Sequence, residues 1–157
     1  TQAGRIANHS WIGGFENPEV SSDALRRVDW IIETDEFLNL VGTSNNASAS
    51  NQPLFSSAFN VLSVGKTDGS AMGSTAVDSL YGAGRVVPHV VTPLSTTSSG
   101  TGFVSSITAL LIEAAHSDTS LSHGSKANRA GDTLYHAEYA SVLKAMLMAG
   151  ADRRTSN

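Results

Sequence analysis

The sequence of 157 residues contains no cysteine. This absence excludes disulfide bonds, thiolate metal sites and a cysteine nucleophile, and it leaves the redox compartment undecided. Basic residues are also few, since only ten Lys and Arg side chains are scattered along a chain whose net charge is −4. We therefore expect neither a nucleic-acid-binding surface nor a polybasic membrane surface.

Long apolar runs are missing as well. No stretch approaches the roughly 18 continuous apolar residues of a membrane span, and no charged-then-apolar leader is visible at the start. Histidines and carboxylates lack metal-ligand spacing, so neither a metal nor a cofactor is expected. Apolar residues still make up 40% of the chain, which is enough for the core of one domain.

Short apolar runs alternate with helical patterns or polar loops, which is the rhythm of an α/β protein with a mainly parallel sheet flanked by helices. The four runs, predicted to be strands, are residues 5–11, 37–42, 60–65 and 89–92. One helix is predicted within 21–34, with Ser22 as its cap, a second from Thr101, and a third over about 137–149 with Gly150 as its stop. The polar stretches 42–53, 65–85 and 116–132 are predicted to be loops.

The stretch "TTSSGTGFVSSITALLIEAA" (96–115) starts with small polar residues and continues as an apolar helix pattern. The start of a helix presents free N–H groups and partial positive charge, so an oxyanion formed on a serine there is stabilised. In an open parallel sheet, chemistry gathers where strands end and helices begin. Ser98 is therefore the candidate nucleophile, at a turn that leads directly into the helix.

The same stretch resembles the catalytic-serine motif of subtilisin-like serine proteases, Gly-Thr-Ser-x-Ala-x-Pro-x-Val-Ala-Gly followed by an apolar helix. Further segments look like that family's strands and turns in the family's order: "IANHSWIGG" (6–14), "LVGTSNNAS" (40–48), "FNVLSVGKTDG" (59–69) and "VPHVVTP" (87–93). "VLKAMLMAGADR" (142–153) looks like the helix that follows the serine helix in some of these enzymes. Several ordered segments are more specific than any single motif.

This resemblance implies an incomplete subtilisin-like three-layer sandwich that cleaves peptide or protein substrates by acyl transfer. Ser98 would attack the peptide carbonyl, and the Ser98 backbone N–H together with the Asn45 side-chain amide would form the oxyanion hole. Residues Ser10, Trp11 and Gly13 would line one side of the substrate groove. Residues Val41, Gly42, Thr43 and Ser44 would line the other side, where the substrate backbone pairs as an added strand.

In this family the triad runs Asp, His, Ser along the chain, so the acid and the base belong before the first strand seen here. The resemblance thus implies that residues 1–157 are the C-terminal portion of one peptidase domain. A separate or removed N-terminal segment would carry Asp and His, and the isolated chain should be inactive. The family also suggests an extracellular or periplasmic location. His123, in "SHGSKANRAG" (122–131), superficially resembles the family's His-Gly-Thr helix start, but it is interpreted as a loop residue.

The serine motif departs from the family pattern at four positions, where Gly, Ala, Pro and Gly are replaced by Thr96, Gly100, Gly102 and Ser106. Ser44 stands where a glycine normally precedes the oxyanion-hole asparagine. These departures fit an active enzyme and also fit a pseudoprotease that holds peptides without cutting them. A second alternative is a nucleotide-binding module in which "SSGTG" (98–102) cradles phosphate at the helix start. That alternative lacks both the Gly-x-Gly-x-x-Gly and the Gly-Lys-Ser/Thr patterns.

Overall fold

The computed structural model describes residues 4–46, 54–67, 82, 84 and 86–152. Parts of two predicted loops, 47–53 and most of 68–85, lie outside the described residues. The strands are β1 (Ile6–His9), β2 (Leu38–Gly42), β3 (Leu62–Lys66), β4 (Val90–Thr92), β5 (Ser125–Ala127) and β6 (Thr133–Tyr135). The helices are α1 (Pro18–Asp35), α2 (Thr97–Ser117) and α3 (Ala140–Gly150), with single 3₁₀ turns at 54–57, 119–121 and 136–138.

The four predicted strands form one parallel sheet in the order β1-β2-β3-β4. Helices flank this sheet, which confirms the predicted α/β class. Each strand is shorter than its apolar run, and the first spans four residues instead of the seven predicted. None of the helices in the described part of the chain is long and apolar enough to cross a membrane.

The central strands β2 and β3 are buried along their whole length, as continuous apolar runs in parallel sheets usually are. Side chains alternate between the faces of a strand, and Gly42 of β2 lies against Thr97 and Thr101 of α2. Leu38 and Leu40 therefore face α2 as well. The buried apolar core is Leu25, Val28, Ile32, Leu38, Leu40, Val41, Leu54, Ala58, Val61, Leu62, Val64, Val104, Ala140 and Leu143.

Helix α1 begins at Pro18, so the prediction of Ser22 as its cap is wrong. The side chain of Asn17 accepts hydrogen bonds from the N–H groups of Glu19 (2.7 Å) and Val20 (3.4 Å). Proline suits the first helical position because its fixed φ is helical and it has no N–H to satisfy. The Asn-Pro pair thus starts the helix one turn earlier, and Ser22 lies inside it.

Helix α2 also begins earlier than predicted, at Thr97 rather than Thr101. Its first turn consists of hydroxyl-bearing residues and Gly100, so it lacks the regularly spaced apolar residues from which a helix is predicted. Thr96 has extended backbone angles, and its Oγ1 accepts the Ser99 N–H at 3.0 Å, so Thr96 is the N-cap. Ser98 consequently lies inside the first turn of the helix.

The third predicted helix, 137–149, is divided at Tyr139, whose backbone is extended. A 3₁₀ turn precedes Tyr139, and α3 follows it and ends at Gly150. The predicted loop 116–132 is wrong in part, because β5 pairs with β6 as an antiparallel hairpin. This hairpin has only one buried residue, Leu134, so its sequence has no alternating apolar signal.

Glu36 connects the end of α1 to both of these later elements. It follows α1 in a left-handed conformation (φ 53°), and its carboxylate is buried. One carboxylate oxygen, Oε1, accepts from Lys126 Nζ of β5 at 2.7 Å. The other, Oε2, accepts the first N–H of α3, that of Ala140, at 2.9 Å. A single side chain thus supplies a cap for α3 and an ion pair for the hairpin.

Candidate active site

The first turn of α2 has three N–H groups that no helical carbonyl can accept. Two of them are satisfied by side chains: the Thr97 N–H donates to Asn45 Oδ1 at 2.8 Å, and the Ser99 N–H donates to Thr96 Oγ1 at 3.0 Å. For the N–H of Ser98, the described residues provide no acceptor. At this helix end, the Ser98 N–H is therefore the donor without an acceptor among the described residues, and it lies next to the Ser98 hydroxyl.

Asn45 lies at the carboxyl end of β2 and is held by its carbonyl oxygen. Besides the Thr97 N–H, the Thr97 hydroxyl lies 3.1 Å from Oδ1, and this hydroxyl donates to the Thr43 carbonyl at 2.6 Å. An amide anchored through its oxygen keeps its NH₂ group as a donor. Within the described residues this NH₂ group has no acceptor, so it is available to a ligand.

The Ser98 side chain is half-buried and lies beside the segment that follows β1. Its hydroxyl donates to the Ser10 carbonyl at 3.4 Å, and the Ser10 hydroxyl lies 3.5 Å from the Ser98 carbonyl. The Ser10 hydroxyl also donates to Asn8 Oδ1 at 2.5 Å. Ser98 therefore contacts Ser10, and Asn45 contacts the neighbouring Thr97, at the carboxyl end of the sheet. The roles assigned to these residues stay predictions.

Two glycines let α2 approach the sheet closely at its first turn. A Cβ on Gly42 would lie 2.8 Å from Thr101 Oγ1, and one on Gly100 would lie 2.3 Å from Thr92 Oγ1. Both distances are too short for a side chain. Gly100 replaces the alanine of the protease pattern, and the Thr92 hydroxyl occupies the space that its methyl group would need.

The other departures from the pattern also have structural partners. Thr96 replaces a glycine, but its φ of −135° requires no glycine and its side chain caps α2. Ser44 likewise replaces a glycine, and its Oγ accepts the Asn46 N–H at 3.2 Å in a local turn. Neither side chain strains the backbone, because Thr96 and Ser44 both have negative φ angles. Among the described non-glycine residues, Glu36 alone has a positive φ.

The predicted groove residues after β1 do not all lie together. Ser10 contacts Ser98, whereas the Trp11 ring packs on His9 and Phe55, with ring centroids 6.2 and 5.2 Å away. Gly13 has a φ of 122°, and its carbonyl accepts the Leu54 N–H at 2.9 Å. The binding of substrate by Trp11 and Gly13 stays a prediction.

The residues on the other predicted side of the groove are mostly engaged in the fold. Val41 and Gly42 pair with neighbouring strands, and the Thr43 N–H donates to the Val64 carbonyl at 2.9 Å. Val41, Thr43 and Ser44 are at most 5% exposed. Asn45 is the first exposed residue after β2. The role of residues 41–44 in binding substrate likewise stays a prediction.

All five histidines of the chain are described, and none contacts Ser98. His9 lies on the sheet face opposite Asn8 and Ser10, since side chains alternate along the strand. Burial lowers the pKa of His9, whose ring packs edge-on against Phe55 at 5.1 Å. His116 Nδ1 lies 2.6 Å from Glu138 Oε1, and the His136 ring lies against the Tyr139 ring. No histidine is therefore placed beside the Ser98 hydroxyl in the part of the chain that the structure describes.

His123, in the segment that resembles the His-Gly-Thr helix start of the family, could replace the missing base only if it lay near Ser98, and it lies far from it. It lines a cleft beside Leu111, Ala114 and Ala115. These residues are more than three turns along α2 from Ser98, a distance of about 20 Å at 1.5 Å per residue. His123 is therefore excluded as the base, and its interpretation as a loop residue fits its position before β5.

His89, which is half-buried, pairs with the buried Ser63 between β3 and β4. Its Nδ1 lies 2.9 Å from the Ser63 N and 2.8 Å from the Ser63 hydroxyl, so the neutral ring accepts. Burial, together with the positive charge of Lys144, lowers the pKa of His89 to about 4 from its usual 6.5. The neutral imidazole is thus part of the folded structure.

We expect this pair to make the protein less stable in acid. The pKa is depressed in the folded state, so the stabilisation is complete above about pH 6.5 and is lost as the pH falls towards 4. Because the ring is partly exposed, the total loss should be about 1 to 2 kcal/mol. Urea unfolding at pH 7 and pH 4.5 would measure the loss.

The His89→Asn variant is the matched comparison, since its Oδ1 can accept from Ser63 but does not titrate. It should lose less stability between the two pH values than the wild type does, while exposed His123→Gln should behave like the wild type. An equal loss in His89→Asn and the wild type would contradict this assignment. Other acid-sensitive groups, His9 included, are common to all three proteins and cancel in the comparison.

One residue of the site was missed in the sequence. Thr97 ties Asn45 to the helix start through both its N–H and its hydroxyl. Paired Thr residues before a helix are a capping signal, but the predicted start at Thr101 placed them in a loop.

The described residues contain no cluster of three His, Asp or Glu side chains suited to a metal ion. Comparisons with protein-family models, curated proteins and solved structures found no match for this chain.

Proposed function

We propose that this chain supplies the nucleophile half of a subtilisin-like serine endopeptidase domain. Ser98 is the nucleophile, and the Ser98 N–H and the Asn45 side-chain NH₂ form the oxyanion hole. The proposal includes a separate or preceding segment that contributes Asp and His, and a substrate that is a peptide or protein. An extracellular or periplasmic location belongs to the same proposal.

The observation that carries the proposal is the hydrogen bond from the Thr97 N–H to Asn45 Oδ1. It joins residues 52 positions apart and brings a side-chain amide to the helix turn that holds Ser98. The Ser98 N–H and the Asn45 NH₂ group then have no partner within the described residues, and Asn45 contacts Thr97, the residue next to Ser98. Such preorganised donors stabilise the oxyanion of acyl transfer.

The reaction would proceed through an acyl-enzyme. Ser98 Oγ attacks the peptide carbonyl carbon, and the imported histidine takes the hydroxyl proton. The carbonyl oxygen becomes an anion that accepts from the two donors, and the amine leaves with the proton from the histidine. Water then releases the acyl group by the same steps. Within the described residues the Ser98 hydroxyl donates to the Ser10 carbonyl and has no imidazole partner, so we expect this chain alone not to perform the first step.

A second candidate is a pseudoprotease that binds peptides without cleaving them. The observation that favours it is the absence of an imidazole beside Ser98 among the described residues, which include every histidine of the chain. The phosphate-binding alternative is less favoured, since Asn45 and Thr96 occupy two of the three N–H groups that a phosphate would need.

A fluorophosphonate probe separates the two candidates, because labelling requires an activated serine. We expect the protein that includes the Asp and His segment to be labelled at Ser98, and the isolated chain to be labelled at least about 1,000-fold more slowly. Peptide mapping by mass spectrometry would identify the modified residue.

Ser98→Ala in the longer protein should abolish labelling, whereas Ser105→Ala, on the same helix, should not affect it. Labelling of the isolated chain at the same rate as the longer protein would refute the need for an imported base. Peptide binding without labelling of the longer protein would favour the pseudoprotease.

A further inference from the structure

A cleft of about 560 Å³ lies at the end of the sheet opposite Ser98. Glu36 and Asn60, which come just before β2 and β3, lie on its wall, whereas Ser98 lies where the strands end. Apolar side chains, Ile32, Ala145 and Met148, form part of the lining, together with Tyr139 and Lys144. Its volume falls within the range of small-molecule sites, about 300 to 1,000 Å³.

The two lysines of this cleft have different surroundings. Lys126 is ion-paired with Glu36 at 2.7 Å and lies over the Tyr139 ring, 4.5 Å from its centroid. Lys144 Nζ donates to the Phe59 carbonyl at 2.9 Å, and no ion pair between described residues includes it. Lys144 is therefore the amine that a ligand could engage.

Burial, and not the surrounding charges, makes the neutral form of Lys144 more accessible than that of an ordinary lysine. Burial lowers the pKa of Lys144, and the Asp29 carboxylate opposes this effect only in part. Asp29 is already bonded to the N–H groups of Phe59 and Asn60, at 3.1 and 2.7 Å. By contrast, the hydrogen bond with Glu36 raises the pKa of Lys126. The remaining titratable groups near Lys144 are Glu33 and Glu36 on the cleft wall and the neutral imidazole of His89.

We propose that this cleft is a carbonyl-binding site in which Lys144 forms an imine with small aldehydes that carry an apolar body. The apolar lining would hold the body of the aldehyde, and Asn60, Tyr139 and Ser141 provide polar groups near its oxygen. The proposal is independent of Ser98, because the two sites lie at opposite ends of the strands.

The chemical step needs no further reactant. The neutral ε-amine of Lys144 attacks the aldehyde carbon, forming a C–N bond and a carbinolamine after proton transfer from nitrogen to oxygen. Loss of the hydroxyl group as water, with the remaining N–H proton, gives the imine. Water reverses the reaction, so the adduct is a reversible covalent complex.

The chain contains three lysines, which makes an internal comparison possible. Lys66 is 8% exposed, Lys126 is ion-paired and Lys144 lines the cleft. The full chain would be treated at pH 7.5 with salicylaldehyde and sodium cyanoborohydride, which reduces imines. Peptide mapping would then quantify each lysine and, separately, the terminal amine. We expect Lys144 to be labelled about tenfold faster than Lys126 or Lys66.

Two variants complete the test. Lys144→Met should remove the fast site and leave the slow ones, and Ala145→Phe, which fills the cleft, should reduce Lys144 labelling at least about fivefold. Circular dichroism would verify that both variants fold. Equal labelling of Lys126 and Lys144 would overturn the proposal. Fast Lys144 labelling that rises linearly with salicylaldehyde and is unaffected by Ala145→Phe would also overturn it, because the amine would then react without a binding site.

Discussion

Replacing Glu138 by alanine should lower the free energy of unfolding by about 3 to 5 kcal/mol, the usual cost of removing one partner from a buried charge network. Glu138 is completely buried, although it is a carboxylate. Its side chain accepts the Tyr135 N–H at 2.8 Å and lies 2.6 Å from His116 Nδ1. Arg5 reaches the same residue from the other end of the chain.

The alanine variant would leave several of these groups without a partner. Arg5 Nη1 lies 3.6 Å from Glu138 Oε2, and the Arg5 side chain is only 15% exposed. Arg5 Nε is already buried without an acceptor, so little compensation is available. The Tyr135 N–H would also lose its acceptor. The full loss therefore combines an unpaired charge, an unpaired backbone donor and a cavity.

Urea unfolding at pH 7 measures the effect. Glu138→Gln keeps the volume and one acceptor, so it should cost clearly less than Glu138→Ala. Glu113→Ala is the matched surface control, because Glu113 is exposed on α2 and Ser117 is its one hydrogen-bond partner among the described residues. If Glu138→Ala were as stable as Glu113→Ala, the network would contribute nothing to the fold.

The second large effect is expected at Asn45, in the protein that also contains Asp and His. Asn45→Asp keeps an oxygen that can accept the Thr97 N–H, so the start of α2 should remain in place. It replaces the NH₂ donor by a negatively charged oxygen, which repels an oxyanion. We expect kcat to fall about 100- to 1,000-fold, the cost found when subtilisin loses its own oxyanion-hole asparagine.

Steady-state peptide hydrolysis would measure this loss, with KM determined separately. Asn46→Asp adds the same charge one residue further on and serves as the control, which should change kcat only slightly. Asn45→Ala should lose the same activity and also about 1 kcal/mol of stability, because its helix end loses a capping acceptor. Unchanged turnover in Asn45→Asp would remove Asn45 from the oxyanion hole.

The sheet could be predicted from the sequence because β2 and β3 are buried on both faces. A buried parallel strand needs apolar or small residues at every position, which gives a continuous run. The hairpin of β5 and β6 could not be predicted, because its strands expose most of their side chains. The starts of α1 and α2 were also missed, since Asn17 and Thr96 cap turns that contain few apolar residues.

The approach of Asn45 to the start of α2 follows from topology, since parallel strands end at one edge and α2 begins at that same edge. The tie between them could not be predicted. It depends on which atom of Asn45 accepts and on the Thr97 N–H being the group that donates, and spacing in the sequence does not contain such detail. The same holds for Lys144, whose surroundings come from residues 29, 59 and 89.

The contacts of Glu36 also determine which parts of the protein unfold together. The left-handed turn at this residue, the β5–β6 hairpin and the start of α3 share one buried carboxylate. Fraying at the end of α1 would withdraw that carboxylate from both later elements at once. Segments a hundred residues apart along the chain would then open and close as a single cooperative unit, while the carboxyl edge of the sheet could stay folded.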